Sequence, residues 1–277
     1  MERNTFAACL RAVRENAPLV QCITNFVTVN DCANILLAVG GSPTMAHDIR
    51  EVEESVAGVQ ALVCNLGAIE DVEAMRLAGK KANALGIPVI LDPVAAGVTT
   101  IRRSACATLL EEVRFTVIRG NASEIRALAL HQAGGSGVDV AAADAVTENT
   151  LPAAVALCQS LAQSTGAVVA LSGAVDILTD GVQTVLLRNG CPTMSRITGS
   201  GCMLTALLGA FCGANASPLP AAAAAVAAMD LAGERAEALR LQKGTGNATF
   251  RTDLIDAVFN LTEEQLTQGV HYEVYQG

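Results

Sequence analysis

The stretch TGSGC, residues 198–202, opens the apolar run MLTALLGAFCG and brings two glycines, two hydroxyls and a thiol to what reads as the start of a helix. Backbone N–H groups at a helix start have no intrahelical partner, glycine lets an anion approach the main chain, and the helix dipole favours negative charge there. The turn of Gly199, Ser200 and Gly201 is therefore either an anion hole or a junction at which Thr198 or Ser200 caps a buried helix. Cys202 is either a small buried hydrophobe or a thiol acidified by those same dipoles. Its place on the first turn, facing the space an anion would fill, favours a proton acceptor for an attacking alcohol. A covalent nucleophile would need a partnered histidine and an orienting amide or acid, and the sequence offers no such set. GxxxxGK[ST] is absent, as is a strand–GxGxxG–helix unit with a downstream acid, so phosphate chemistry here does not use a P-loop.

Two more groups of polar residues end apolar runs. NASE, residues 121–124, follows FTVIRG; Asn121 and Glu124 form either a helix cap or an edge at which a carboxylate holds hydrated magnesium. Arg119, two residues earlier, supplies a fork for phosphate. Asp92 in LDPV is either a turn cap before Pro93 or a second acid at the same edge. These residues share an edge only if the runs that carry them are parallel strands, because ligands of such sheets sit at the carboxyl ends.

The elements needed for that arrangement are legible. Strands are expected at 61–67, 88–94 and 115–121, with helices at 71–86 and 103–113 between them. Short apolar strands joined through helices define a mainly parallel sheet covered on both faces. Phe6, Leu10, Val13 and Ala17 fall at helical spacing before Pro18; PLVQCITN reads as a strand, and VNDCANILLAVGG as a helix closed by Gly40 and Gly41. HQAGGSGVDVAAADAVTENT reads as a loop with a short helical piece, and LPAAVALCQSLAQSTG as a helix. A strand at 167–173 precedes an Asp180-Gly181 hairpin, which adds an antiparallel edge. The alanine-rich PAAAAAVAAMDLAGERAEAL is expected as a core helix, alanine being the best helix former. No repeat or linker divides the chain, so residues 1–277 are expected to form a single domain.

The chain is 51% apolar with 16% charged residues, which excludes disorder and leaves surface for association between subunits. Eighteen basic against 27 acidic residues give a net charge of -9, a poor match to nucleic acid or an anionic membrane. No apolar stretch reaches membrane-spanning length and the start lacks a signal peptide's pattern, so a cytoplasmic protein is expected. Nine cysteines without a CxxC pair, and three scattered histidines, indicate neither a disulfide framework nor a structural metal.

QCITNFVTVNDCANILLAVGGSPTMA, LDPVAAG, IRGNASEI, ALSGAVD and TGSGCMLTALLGAFC, in that order over nearly the whole chain, resemble the hydroxyethylthiazole kinases of thiamine salvage, within the ribokinase-like superfamily. The resemblance implies a three-layer α/β/α sandwich with a central, mostly parallel sheet, and a homotrimer with sites near its subunit interfaces. It implies transfer of the ATP γ-phosphoryl group, with Mg2+, to the primary alcohol of 4-methyl-5-(2-hydroxyethyl)thiazole. By the same resemblance Met45, Asn25 and Val27 contact the thiazole, Gly199 lines the anion hole beside it, and Arg119, Ser172 and Asn121 meet the nucleotide. Glu124 and Asp92 stand near the magnesium, and Cys202 occupies the place where many relatives carry an aspartate base. Ser172 departs from the usual threonine and Ser200 from a small Ala or Thr, and His47 adjoins the Met45 loop. A related vitamin kinase acting on hydroxymethylpyrimidine or pyridoxal is the nearest alternative; a nucleotide-binding regulator and a cysteine hydrolase are the others.

Overall fold

The computed structural model describes residues 1–132, 146–147 and 149–276. The loop with a helical piece expected at 131–150 therefore lies mostly outside the described residues. Five expected runs form parallel strands: β1 (Leu19–Ile23), β3 (Ala61–Asn65), β4 (Val89–Asp92), β5 (Val117–Asn121) and β6 (Val168–Ser172). Two antiparallel strands, β7 (Asp176–Thr179) and β8 (Thr184–Leu187), follow across the Asp180-Gly181 turn. Asp180 Oδ1 accepts the N–H groups of Val182 and Gln183 there, at 2.9 and 2.7 Å.

Two three-residue strands complete the sheet and were not expected. β2 (Ser42–Thr44) pairs parallel to β1, and β9 (Tyr272–Val274) pairs antiparallel to β8, giving the order β2-β1-β3-β4-β5-β6-β7-β8-β9. The hairpin is thus inside the antiparallel side of the sheet, with the C-terminal segment outside it. Three residues are too few to show an alternating pattern, so such edge strands are decided by pairing and not by periodicity.

Alternate strand residues enter two separate cores. Val20, Cys22, Val63, Ile90, Val117 and Ala170 face one layer, while Ile23, Leu62, Cys64, Leu91, Ile118 and Val169 face the other. The first layer holds α1 (Arg3–Asn16), α2 (Val29–Val39), α8 (Ser200–Ala214), α9 (Pro218–Lys243), α10 (Asn247–Phe259) and α11 (Glu263–Gly269). The second holds α3 (Val52–Val56), α4 (Val72–Leu85), α5 (Thr100–Glu112), α6 (Ala122–Gln132) and α7 (Leu151–Thr165). This is the three-layer sandwich expected. Residues 221–228 of α9, seven alanines and one valine, are all buried, as the composition of that run required. No helix among the described residues is long and apolar enough to cross a membrane.

Helix α8 lies on β1, β3, β4 and β5. Gly209 permits this approach: a Cβ there would stand 2.8 Å from Val20 Cγ1 and 2.9 Å from Val63 Cγ2. Gly209→Val is expected to lower unfolding free energy by at least about 2 kcal/mol, the cost of overfilling a packed core. Denaturant titration checks this, and an unchanged midpoint would show that α8 can lift without cost.

Candidate active site

Parallel pairing aligns the polar ends of the strands. Asn65 ends β3 opposite Asp92 of β4, and Asn121 ends β5 opposite Ser172 of β6. The first turn of α8 crosses this edge. Gly199 adopts φ +83°, and a Cβ there would fall 2.5 Å from Thr28 Cγ2. Gly201 is packed directly against the Arg119 guanidinium, leaving no room for a side chain. Gly199 is thus required by conformation and by contact, Gly201 by its contact with the guanidinium.

Asp92 is the buried hub of the edge. Its Oδ2 accepts from Asn65 Nδ2 at 3.0 Å and Thr205 Oγ1 at 2.8 Å, and Arg119 Nη1 stands 3.7 Å away. Its Oδ1 is buried without a partner. Burial raises the Asp92 pKa from 3.8 to about 6; Arg119 opposes the rise and the Glu124 charge adds to it. Arg119 Nη2 donates to Ser172 Oγ at 2.6 Å, so the two expected nucleotide residues are joined.

Cys202 Sγ accepts from Asn65 Nδ2 at 3.2 Å and Asn25 Nδ2 at 3.5 Å. Asn25 also donates to Asn65 Oδ1 at 3.2 Å and accepts the Thr28 N–H and hydroxyl, both at 3.1 Å. The thiol is not acidified. Burial, with the Asp92 charge second, raises its pKa above the ordinary value, against the hydrogen bonds of Thr28, Asn65 and Asn25. The possibility of a thiol made acidic by the helix start is corrected accordingly: in this environment the loss of water outweighs the dipoles.

Glu124 realises the capping alternative. Its Oε2 accepts the Asn121 N–H at 2.8 Å while Asn121 Oδ1 accepts the Glu124 N–H at 3.0 Å, and Oε1 accepts the Ala95 N–H at 3.0 Å. Among the described residues no group of three or more His, Cys, Asp or Glu is arranged to hold a metal. Met45 follows β2 at the same sheet edge, half-buried against the first core, with His47 Nδ1 3.1 Å from its carbonyl oxygen. Val27 is not drawn into the network; it and Phe26 are 57% and 82% exposed.

Beside the glycine turn lies a cavity of about 500 Å³, lined in part by Arg119, Ser172, Ser200, Gly201, Leu204 and Asp230. The sequence reading missed Asn65, Thr205, Asp176 and Asp230. Asn65 had the same signal as Asp92, a polar residue closing an apolar strand. Asp176 and Asp230 are single charges inside apolar runs, a sign of a paired or buried group.

A mainly parallel sheet whose carboxyl edge meets an open glycine turn, a half-buried guanidinium and a cavity defines a small-molecule kinase of the ribokinase-like class. Pyridoxal kinase of Staphylococcus aureus in complex with ADP shares the fold at a TM-score of 0.56 and 15% identity, over 78% of this chain and 87% of that one. The hydroxyethylthiazole kinase family model matches residues 10–264, and the chain belongs to that family. The hydroxyethylthiazole kinase of Clostridium acetobutylicum is 49% identical over 96% of this chain and 98% of its own length. That of Desulfovibrio desulfuricans is 48% identical over 91% and 92%. The structure of the Pyrococcus horikoshii hydroxyethylthiazole kinase superposes with a TM-score of 0.86 at 33% identity, covering 98% and 99%. These relatives favour the thiazole alcohol over the pyrimidine and pyridoxal alternatives.

Because the folded-state pKa of Asp92 is raised, the folded protein holds its proton more tightly than the unfolded chain, and the associated stability is lost as pH rises through about 6. Asp92→Asn removes this loss. The unfolding free energy of the variant relative to the wild type should increase between about pH 4 and about pH 7, by on the order of 3 kcal/mol. A difference that stays level across that range would show that Asp92 does not titrate as described.

Proposed function

We propose that residues 1–277 form one kinase domain that transfers the γ-phosphoryl group of ATP to the primary alcohol of 4-methyl-5-(2-hydroxyethyl)thiazole. The observation that carries the reading is the Cys202 thiol, held by two side-chain amides on the first turn of α8, next to Gly201 and the half-buried Arg119. Phosphoryl transfer passes through a loose transition state, so alignment and charge stabilisation matter more than a strong base. The open N–H groups at Gly199, Ser200 and Gly201 receive the migrating phosphoryl oxygens, and Arg119, with Ser172 and Asn121, meets the nucleotide.

The substrate oxygen forms its bond to the γ-phosphorus as the bond from that phosphorus to the ADP oxygen breaks. The hydroxyl proton passes late to the Cys202 sulfur, which must be in its thiolate form to take it. Asn25, Met45 and Val27 are assigned to the thiazole, Asn25 bridging the substrate side and the thiol. The exposed Phe26 and Val27 beside Asn25 support completion of this edge by a neighbouring copy in a homotrimer. All nine cysteines are free thiols, which supports a reducing, cytoplasmic setting.

Magnesium fits the acids present. Asp92 offers a buried oxygen without a partner, and Glu124 is close enough for its charge to raise the Asp92 pKa. With no three-residue cluster among the described residues, these two would hold a hydrated ion largely through water. When bound, it would neutralise phosphate charge.

The test is ATP turnover with the thiazole alcohol, hydroxymethylpyrimidine and pyridoxal; preference for either of the latter two would reject the reading. Cys202→Ala should lose at least roughly tenfold in turnover, toward the low end for a general base, while Cys202→Asp retains substantial activity. Because burial raises the thiol pKa, wild-type kcat/KM should climb with pH above neutrality and the Asp variant should flatten that limb. Full activity in Cys202→Ala removes the thiol from the mechanism. Glu124→Gln should raise the magnesium concentration needed for half-maximal rate, and an unaltered metal titration contradicts its assignment.

A further inference from the structure

One wall of the cavity comes from the chain that leaves β8: residues 189–192 and Met194 line it together with Ser200, Gly201 and Leu204 of α8. Of the residues assigned to the two substrates, Arg119 and Ser172 line this cavity, whereas Asn25, Val27 and Met45 do not. On the reading proposed above, the cavity belongs to the nucleotide.

A single side chain fixes this wall from behind. Asn189 is only 6% exposed. Its Nδ2 donates to Glu234 Oε1 at 3.0 Å and to the Gly269 carbonyl at 3.1 Å, and its Oδ1 accepts the His271 N–H at 2.7 Å. Two donors and an acceptor on one planar group are what an amide supplies; a carboxylate has no donor to offer. The neighbouring residues follow the same course. Glu234 Oε1 also accepts the Gly190 N–H at 3.0 Å, and the Arg188 N–H reaches the His271 carbonyl at 3.0 Å. The Cys191 thiol donates to the Gly233 carbonyl at 3.4 Å.

The C-terminal segment that Asn189 grips is in turn tied to the start of the chain. Arg3 donates to the carbonyls of Thr267 and Val270, both at 3.0 Å, and the Tyr272 hydroxyl donates to the Met1 carbonyl at 3.0 Å. The Phe6 and Tyr272 rings lie 5.0 Å apart. The two chain ends therefore form one brace, and Asn189 joins that brace, together with α9 through Glu234, to the cavity wall.

A wall held in place before a ligand arrives need not be ordered on binding, which favours affinity. We infer that Asn189 is a positioning residue for the nucleotide: it holds residues 189–192 in the shape that receives the co-substrate. Through it the joined chain ends set the affinity of a cavity they do not line. None of its partners belongs to the Asn25, Asn65 and Cys202 network, so the effect falls on one substrate and not on the other. The inference rests on the assignment of ATP to this cavity.

The experiment measures kcat and both KM values, with the dissociation constant of ADP from calorimetry, in wild type and in Asn189→Asp. The variant keeps the acceptor for His271 but loses both donors and sets a second carboxylate against Glu234. KM for ATP and the ADP dissociation constant should rise about tenfold, as expected when buried groups lose their partners, while kcat and KM for the thiazole alcohol change less than twofold. Adding Glu234→Gln restores a donor facing residue 189 and removes the like charge, so the double variant should recover most of the lost ATP affinity. Should Asn189→Asp not fold, Asn189→Ser carries the same expected split. A role confined to stability would lower the unfolding midpoint and leave KM for ATP where it was, and that result overturns the inference. An equal rise in both KM values, or no recovery in the double variant, overturns it as well. Wild-type protein that neither binds ADP nor consumes ATP sinks the function reading along with this one; normal transfer with an unshifted KM for ATP in the variant sinks this one alone.

Discussion

The hydrogen bonds converging on Asp92 Oδ2 hold the site together. Asn65 from β3 and Thr205 from α8 reach this one oxygen, and Arg119 from β5 stands beside it. A carboxyl group almost free of water thus fixes the relative position of three elements. The price is a charge taken out of solvent, and it shows in the raised Asp92 pKa. What is gained is placement: Thr205 is on the helix whose first turn carries Cys202, and Asn65 donates to Cys202 Sγ as well as to Asp92.

This edge limits its own negative charge. Arg119 is a half-buried cation within reach of Asp92 and bonded to Ser172, facing the cavity with the glycine turn. Burial favours a neutral Cys202 and a proton held between Asp176 and Asp230, so this edge carries less negative charge than its composition suggests. The protein as a whole is acidic, with a net charge of -9, and the local arrangement offsets that background at this edge.

Much of this was legible in the residues, for physical reasons. Apolar runs of strand length separated by helical runs require a covered parallel sheet, and the polar residues ending those runs, Asp92, Asn121 and Ser172, then share one edge. NASE was readable as a cap because capping is a local geometry that needs only four residues, and Glu124 and Asn121 form it. Asn65 was overlooked although it ended its strand in the same way as Asp92. The strands β2 and β9 were not legible, because three residues carry no period and their partners are distant in the chain.

The sequence alone determined the layers, the mainly parallel order of the central strands, the glycine-opened helix and the family resemblance, since each depends on local pattern or on motifs read in order. Only the tertiary structure decided the state of the chemical groups. Whether Cys202 is acidified depends on how much water reaches it and on Asp92, 110 positions earlier in the chain, and the structure resolves that contest in favour of a raised pKa. The meeting of Asp176 with Asp230 is likewise a product of packing between a strand and a helix far apart in sequence. Burial and long-range contact set proton affinity, and neither is written in the spacing of residues along a chain.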